Sequence, residues 1–399
     1  MQISEQIRRL SDELEEHTLA IRHEIHSNPE LSYHEFKTSE LVRRELDRIG
    51  IPYENSPCKP GIIATIDSGK PGKFLLLRAD MDALPIQENT GLPFASKVPD
   101  VMHACGHDIH TSNLLAVGEI LYRTRDQWNG KVKLVFQPAE ENGGGGREMI
   151  KAGLMDELPD ACFALHVENG EQGKLLVGSR YLTAYSDAYS ITVHGKAAHS
   201  STPEEGVDAI YIASSIITAL HGIISRNLSP MDRSTLNVGV IQGGTAPNII
   251  ADKAQMRVMM RNLTKESREA MMKKIESLSD GIARSMGGSC DLEFRAGYPA
   301  VYNDEAFTSF VADALRKNSD GIYEGLGDGQ PENWLVTGEQ PLLGAEDFGF
   351  YSQKAPSCLI WVGVGGDAPK HSPDFWVDER YIKLCTRAMA AVALEFLTQ

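Results

Sequence analysis

Three apolar runs separated by helical stretches constrain the fold of this chain more than any other feature. The runs, at 74–80, 132–138 and 161–167, have the length and composition of strands that are buried on both faces. A helical stretch over about 110–124 lies between the first two runs. Because buried strands that alternate with helices are typical of parallel sheets, we predict an α/β domain.

The middle of the chain follows a different pattern. Between 185 and 295, alternating segments and two helical stretches form a β-α-β-β-α-β series, which is the ferredoxin-like order. The α/β pattern resumes after this series. We therefore predict a catalytic α/β domain with a mostly parallel sheet and flanking helices over 1–182 and 297–399, split by an inserted ferredoxin-like α+β domain at 183–296.

Charge and composition exclude several partners. The 39 lysines and arginines against 55 acidic residues give a net charge of −16, which would repel nucleic acid and an anionic membrane surface. No run approaches the roughly 18 apolar residues of a membrane span, and the charged N-terminal segment does not have the pattern of a signal peptide. The six cysteines form no CxxC pair, which is typical of reduced thiols. We expect a cytoplasmic protein.

Residues that can carry chemistry follow the predicted strands or precede the predicted helix. In open α/β sheets, ligands bind outside the carboxyl ends of the strands, so these side chains are expected at one site. Imidazole, thiolate and carboxylate together suit a divalent metal such as Zn²⁺, Mn²⁺, Co²⁺ or Ni²⁺. The residues are Asp82, Cys105, His107, Glu140, Glu141 and His166.

The spacing of these residues indicates that metal binding and proton transfer are carried out by different side chains. Cys105 and His107 are two residues apart, so a tight turn can aim both at one position. Glu140 and Glu141 are adjacent, so one can ligate a metal while its neighbour handles a proton. Each feature alone is more often a polar loop or a solvated surface. Their recurrence at successive strand ends favours a metal site.

Six segments resemble one family along nearly the whole chain. They are RADMDALPI (78–86), VMHACGHDIHT (101–111), FQPAEE (136–141), ALHV (164–167), VHGKAAHSS (193–201) and KHSPDF (370–375). The family is that of the metal-dependent amidohydrolases that include hippurate hydrolase, indoleacetyl-amino-acid hydrolase and N-acyl-amino-acid deacylases, within the wider aminoacylase and carboxypeptidase group of metallopeptidases. The resemblance implies two divalent ions per subunit, Mn or Zn, with Ni or Co also accommodated. The implied ligands are Cys105, His107, Glu141, His166 and His371.

The resemblance also implies roles for residues that hold no metal. Glu140 matches the general base, and Asp82 matches a carboxylate that orients a ligand, although a strand-end cap is its plain alternative. The inserted domain matches a lid and dimerisation module, in which His199 of the partner subunit stabilises the oxyanion. Asn248 and Arg261 match positions that bind the substrate carboxylate. A surface histidine and an exposed strand charge are the plain alternatives for His199 and Arg261.

The implied reaction is cleavage of an N-acyl-amino acid (N-acetyl, benzoyl or similar) into an amino acid and a carboxylic acid, by a homodimer formed through the lid domain. A dipeptidase or carboxypeptidase of the same group, or an N-acetyl-diaminopimelate deacetylase, keeps the chemistry and changes the substrate. A non-catalytic metal-binding protein and a Cys105 nucleophile are further alternatives. The sequence departs from the family pattern at Ala345, where serine is usual, and at ValGluAsnGly after His166. The second departure bears on the acyl-group preference.

Overall fold

The computed structural model describes residues 3–326, 329–338 and 341–399. The chain divides into two compact units. The first consists of Met1–Leu182, Val301–Gln340 and Asp347–Gln399, and the second of Thr183–Ala300 and Pro341–Glu346. Helices and strands are numbered in chain order.

The first unit is built on a large mixed sheet with helices against it. Its helices are α1 (Ile3–Ser27), α2 (Phe36–Ile49), α3 (His107–Arg123), α4 (Gly145–Lys151), α7 (Glu305–Lys317), α8 (Ser319–Tyr323), α9 (Gly349–Ser352) and α10 (Ile382–Leu397). Its strands are β1 (Tyr53–Asn55), β2 (Ile62–Asp67), β3 (Phe74–Asp80), β4 (Lys131–Gln137), β5 (Ala161–Glu168), β6 (Leu175–Gly178), β7 (Arg180–Tyr181), β14 (Tyr302–Asn303), β15 (Leu335–Gly338) and β16 (Ser357–Gly363).

The order of the eight strands in this sheet is β1-β2-β4-β3-β5-β16-β6-β15. The central pairs β4–β3, β3–β5 and β5–β16 are parallel, whereas β1–β2, β2–β4 and β16–β6 are antiparallel. All residues of β3 and β16 are buried, as expected for strands covered on both faces. The predicted α/β class with a mostly parallel sheet and flanking helices is confirmed.

Two apolar clusters cover the two faces of the sheet. The larger one includes Val117 of α3 and Val392 of α10, packed with Leu75 and Leu77 of β3. The other includes Leu76 of the same strand. Because side chains alternate along a strand, this division fixes which residues of β3 face each layer.

The second unit contains the predicted β-α-β-β-α-β series. Its elements are β8 (Tyr185–His194), β9 (Ala198–His199), α5 (Ala209–Asn227), β10 (Ser234–Gly243), β11 (Ile249–Ile250), β12 (Lys253–Asn262), α6 (Lys265–Ser285) and β13 (Ser289–Ala296). Strands β10-β12-β8-β13 form an antiparallel sheet in that order, with α5 and α6 packed on it. The assignment of a lid and dimerisation role to this unit stays a prediction.

Helix α5 is long and apolar enough, by length and composition, to cross a membrane. One such helix is weak evidence for a span, because the core helix of a soluble protein passes the same test. Ile212, Ile216 and Leu220 of α5 are buried in the apolar cluster of the second unit.

Candidate metal centre

The predicted site residues of the first unit converge at the carboxyl ends of β3, β4 and β5. Asp82 lies two residues beyond β3, Glu140 follows β4, and His166 is near the end of β5. His107 is the first residue of α3, which begins three residues earlier than the sequence pattern predicts. The turn before α3 places Cys105 beside these strand ends, because Gly106 adopts the left-handed conformation with φ +83°.

Cys105, His107 and His166 form the first group of possible ligands. Their donor atoms lie within 4.8 Å of one another, and the Sγ of Cys105 is 3.5 Å from the Nε2 of His166. The Nδ1 of His166 donates to the carbonyl of Val167 at 2.6 Å. Because a carbonyl can only accept, the proton is on Nδ1, and the lone pair of Nε2 points toward Cys105.

Cys105, Glu141 and His371 form a second group that shares the thiol with the first. The Oε1 of Glu141 is 3.3 Å from the Nε2 of His371 and 3.8 Å from the Nε2 of His107. Within the described residues, the buried Oε1 of Glu141 and Nε2 of His107 have no hydrogen-bond partner. Buried polar atoms without partners that face one another are what an ion-binding site requires, so the donor set fits a metal centre.

His371 comes from a loop far along the chain. Its backbone N–H donates to the carbonyl of Ala104 at 2.9 Å, which ties this loop to the turn that carries Cys105. The residue has φ +63°, in the left-handed region, and its side chain is 52% exposed. It is therefore the exposed member of a set that is otherwise buried or nearly so.

Asp82 organises the segment that carries the two glutamates. Its Oδ1 accepts the N–H of Glu140 and its Oδ2 the N–H of Glu141, both at 3.0 Å. The Oδ1 also accepts from the Nδ1 of His107 at 3.2 Å, which fixes the orientation of that ring. These are contacts of the kind that an orienting carboxylate makes, and the role of Asp82 stays a prediction.

Glu140 lies next to this cluster and is 6% exposed. Its side-chain Oε1 accepts the backbone N–H of Asp347 at 3.3 Å. The ligating atoms of His107, Glu140 and Glu141 lie within 4.8 Å of one another. A buried carboxylate beside a candidate ligand is in reach of a water molecule held at the same place, as a general base must be.

Burial keeps the thiol of Cys105 protonated at neutral pH. Burial and the nearby Glu141 carboxylate raise the pKa of Cys105 to about 12. A thiol with this pKa is not a nucleophile at neutral pH, and it becomes a thiolate only when a cation compensates its charge. Although burial opposes it, the Asp80 carboxylate and the hydrogen bond to Asp82 hold the pKa of His107 well above its usual value.

The structure also shows a buried network around Arg78, a residue to which the sequence analysis gives no role. Arg78 of β3 contacts Asp347 at 2.6 Å, and Asp347 also accepts from Gln137 and from the backbone N–H of Gly146. The Nδ1 of His110 donates to Asp80 at 2.6 Å. A charged residue inside the apolar run at 74–80 is the signal that could have identified Arg78.

Three predicted site residues lie in the second unit. His199 of β9 is exposed, and its Nδ1 accepts from the backbone N–H of Ser201. Asn248 is close to it, since β9 pairs with β11 and the N–H of Ser200 donates to the carbonyl of Asn248. Arg261 of β12 is half-buried, and within the described residues its buried Nη1 has no partner. It is therefore not the exposed strand charge of the plain alternative.

A mixed α/β unit with such a strand-end cluster, and an inserted ferredoxin-like unit, define the class of two-domain hydrolases that act on amide bonds. Comparison with known proteins gives the same class. The chain belongs to Peptidase family M20/M25/M40, whose model matches residues 76–395. It is a hydrolase of amide bonds.

Two curated relatives and one crystal structure illustrate the similarity. Thermostable carboxypeptidase 1 of Saccharolobus solfataricus is 36% identical, over 99% of both chains. N-acetylcysteine deacetylase of Bacillus subtilis is 34% identical, over 94% of this chain and 95% of the relative. The crystal structure of a Bacillus subtilis protein, described as a dinuclear metal binding peptidase from the M20 family, has a TM-score of 0.84 and 30% identity, and covers 97% of this chain and 99% of that one.

Proposed function

We propose that this protein is a dinuclear-metal amidohydrolase that releases a free amino acid and a carboxylic acid from N-acyl-amino acids in the cytoplasm. The observation that carries the proposal is the arrangement of Glu140 and Glu141. One carboxylate faces two histidines, and its neighbour lies beside the same cluster. The deacetylase from Bacillus subtilis, similar over nearly the whole chain, supports an N-acyl-amino acid as the substrate.

Each residue has a defined task in this proposal. Cys105, His107, Glu141, His166 and His371 would hold two divalent ions, and Cys105 belongs to both groups of possible ligands. When bound, these ions supply Lewis acidity, which polarises the scissile carbonyl and acidifies water. Glu140 takes a proton from the attacking water and returns it to the leaving amine.

Three residues of the second unit would bind the substrate or stabilise the oxyanion. His199 of the partner subunit donates a hydrogen bond to the oxyanion as it develops. Asn248 and Arg261 hold the substrate carboxylate. The buried Nη1 of Arg261, for which the described part of the chain provides no partner, supports this role, because it is a donor available for a carboxylate.

The base assignment is tested with Glu140→Gln in metal-loaded protein. The amide has the shape of the carboxylate but cannot accept the proton, so we expect kcat to fall by at least about 100-fold. Metal content, measured by elemental analysis, should equal that of the wild type. Wild-type turnover by this variant would contradict the assignment.

Dependence on metal distinguishes the proposed mechanism from hydrolysis with Cys105 as the nucleophile. We expect a chelator to abolish turnover and Mn²⁺ or Zn²⁺ to restore it, with Ni²⁺ and Co²⁺ as further candidates. Activity that survives complete chelation would favour the cysteine mechanism. A protein that binds metal without any turnover would instead be the non-catalytic alternative.

A second candidate substrate is a peptide, and the 36% identity to a carboxypeptidase favours it. A panel of hippurate, N-acetyl-amino acids, N-acetyl-diaminopimelate and dipeptides separates the candidates by kcat/KM. We expect the acylated amino acids to be turned over faster than the dipeptides. The opposite order would make the protein a dipeptidase or carboxypeptidase with the same machinery.

The proposal includes a homodimer formed through the second unit. Strand β10 is at one edge of its sheet, and its residues Val240 and Ile241 are exposed, as is Tyr211 of α5. An unpaired edge strand beside exposed apolar side chains is suited to pairing with a second copy. We expect Ile241→Lys to shift the mass measured by light scattering from dimer to monomer. An unchanged mass would place the interface elsewhere.

Subunit complementation tests whether His199 acts across the dimer. Glu140→Gln and His199→Ala homodimers should each be nearly inactive. In a mixed dimer, the subunit with an intact Glu140 receives the intact His199 of the partner subunit, so one site of two is complete. Random pairing in a two-fold dimer should restore about a quarter of wild-type activity. If both homodimers are inactive and mixing restores nothing, His199 acts within its own chain. An active His199→Ala homodimer would mean that His199 has no role.

A further inference from the structure

Glu35 is the residue before helix α2, but its side chain does not cap that helix. The N-terminal amides of α2 are satisfied by another glutamate, since the carboxylate of Glu30 accepts the N–H groups of Lys37 and Thr38 at 2.9 and 3.0 Å. Glu35 is fully buried, and its Oε1 accepts the backbone N–H of Ala139 at 2.8 Å. Its carboxyl group is therefore directed at the turn after β4.

Three consecutive amides in that turn point to buried carboxylates. The N–H of Ala139 donates to Glu35, and the N–H groups of Glu140 and Glu141 donate to the two oxygens of Asp82. Ala139 has φ +56°, in the left-handed region that residues with a side chain rarely adopt. Successive amides in such a conformation form a concave nest for anions. Here the nest is occupied by two carboxyl groups from elsewhere in the chain.

Two costs indicate that this arrangement serves the site and not the stability of the fold. A non-glycine residue in the left-handed region is strained and persists only where its surroundings impose it. A buried carboxyl group is also costly, and here burial and the adjacent Asp82 raise the pKa of Glu35 to about 8. Strained residues and groups with shifted pKa values concentrate at functional sites. The residues that follow the strained one are Glu140 and Glu141.

We propose that Glu35 is a positioning residue that fixes the Ala139–Glu141 turn and so aims Glu140 and Glu141 at the centre. The inference rests on the proposed function, since it takes Glu140 as the base and Glu141 as a ligand. Asp82 holds two amides of the turn, and Glu35 holds the third, at the strained residue. Without Glu35, the backbone of Ala139 can relax toward an ordinary conformation and rotate both glutamates.

Variants at position 35 distinguish the effect of the hydrogen-bond acceptor from the effect of side-chain volume. Glu35→Gln keeps an acceptor oxygen for the Ala139 N–H, whereas Glu35→Met keeps the volume and removes the acceptor. We expect Glu35→Met to lower kcat about 10- to 100-fold, with KM within about 3-fold of wild type, and Glu35→Gln to stay within about 3-fold in both. Hydrogen exchange by mass spectrometry should show faster exchange over residues 139–141 in the methionine variant only. Its affinity for Mn²⁺, titrated into metal-free protein, should fall as well.

Glu30→Ala is the matched control, because it removes the acceptor that caps α2 and leaves the 139–141 turn intact. It should lower the unfolding temperature without changing kcat of the folded enzyme. Wild-type kcat and exchange in Glu35→Met would overturn the proposal, as would an equal loss in Glu35→Gln. If neither Glu35→Met nor Glu35→Ala folds while Glu35→Gln is fully active, Glu35 is a general structural residue and the proposal is also wrong.

Failure of the positioning role of Glu35 and failure of the proposed function give different experimental results. If Glu140→Gln retains turnover, the base assignment fails whatever happens at position 35. If Glu140→Gln is inactive and Glu35→Met is not impaired, only the positioning role is lost.

Discussion

At the scale of single residues, Asp82 connects several parts of the candidate site. Its carboxylate accepts from the hydroxyl of Ser32 at 2.6 Å, from His107 and from the two glutamate amides. Although burial opposes ionisation, the hydrogen bonds from His107 and Ser32 hold the pKa of Asp82 below its usual value. A charged acceptor with several donors is a strong and directional anchor. The alternative of a simple strand-end cap does not require the contact to His107.

We predict that Asp82→Asn lowers kcat/KM about 10- to 100-fold at saturating metal. Asparagine has one acceptor oxygen in place of two, so it cannot accept both amides, and its NH₂ group faces a donor. Ser32→Ala is the control, because it removes one contact to the same carboxylate and should stay within about 5-fold, since a single hydrogen bond contributes about 1 kcal/mol. Steady-state kinetics measure kcat/KM of both variants. Full activity of Asp82→Asn would show that the carboxylate has no orienting role.

Local sequence patterns identify some residues of the candidate site, but they do not identify His371 or Glu35. Cys105 and His107 are identified by their spacing next to a predicted helix. His371 is far from the other ligands in sequence and reaches them through the contact of its backbone with Ala104, so only the resemblance points to it. Glu35 looks like any glutamate at the start of a helix. Its contact with Ala139 is a tertiary one, and no local pattern encodes it.

At the scale of elements, the turn before α3 depends on a glycine. Gly106 has φ +83°, and a Cβ at this position would lie 2.3 Å from the Cγ2 of Val167, in β5. The close approach brings the turn with Cys105 and His107 against the strand that carries His166. The packing of α3 against β5 therefore determines the distance between the first three candidate ligands.

We predict that Gly106→Ala destabilises the protein more than Gly69→Ala and weakens metal binding, whereas Gly69→Ala does not. Both glycines have positive φ, but no atom lies within 4 Å of a Cβ at Gly69, so its substitution should cost only about 1 kcal/mol of backbone strain. Urea unfolding and Mn²⁺ titration give the two readouts. The double variant Gly106→Ala/Val167→Ala should recover part of both losses, and equal effects of the two glycine variants would contradict the steric argument.

The elements that sequence patterns predict best are those whose burial is uniform or strictly alternating. Strands β3, β4 and β5 are apolar runs, and β8 alternates from Tyr185 to His194 with a period of two. Strand β16, although fully buried, is not singled out by the sequence analysis, because α9, the helix between β15 and β16, has four residues and is too short to show a helical period. The antiparallel β16–β6 pair also follows from no local signal, since register and partner are set by tertiary packing.

At the scale of the whole molecule, metal binding should be coupled to folding, because the ligands come from segments spread between Cys105 and His371. An ion that binds only the folded state stabilises it by about 2.7 kcal/mol at 100 times its dissociation constant. We predict that Mn²⁺ raises the urea midpoint of the metal-free protein and that Cys105→Ala removes most of this shift. Cys290→Ala, in the second unit, is the matched control and should retain it. An equal shift in all three proteins would place the bound ion elsewhere.

A second property of the whole molecule is a buried charge network that joins α1 to α3 and to the loop after β3. His26 of α1 contacts Asp108 at 2.9 Å and Glu88 at 3.3 Å, and Arg22 contacts the same Asp108 oxygen at 3.0 Å. Burial alone would lower the pKa of His26, but Asp108 and Glu88 outweigh both burial and the opposing Arg22 charge and raise it to about 9. The folded state therefore binds a proton more tightly at His26 than the unfolded chain does.

This linkage predicts an alkaline loss of stability. Because the folded pKa of about 9 exceeds the unfolded value of 6.5, the contribution of His26 is fully present below pH 6.5 and is lost as the pH rises through 9. The raised pKa corresponds to about 3 kcal/mol. Urea unfolding of metal-free protein at pH 6.5 and 9.5 measures the loss, and His26→Gln removes this titration while other groups continue to titrate. The fall in unfolding free energy between the two pH values should be smaller in the variant, by up to that amount, and equal falls would mean that the charged histidine does not hold α1 to α3.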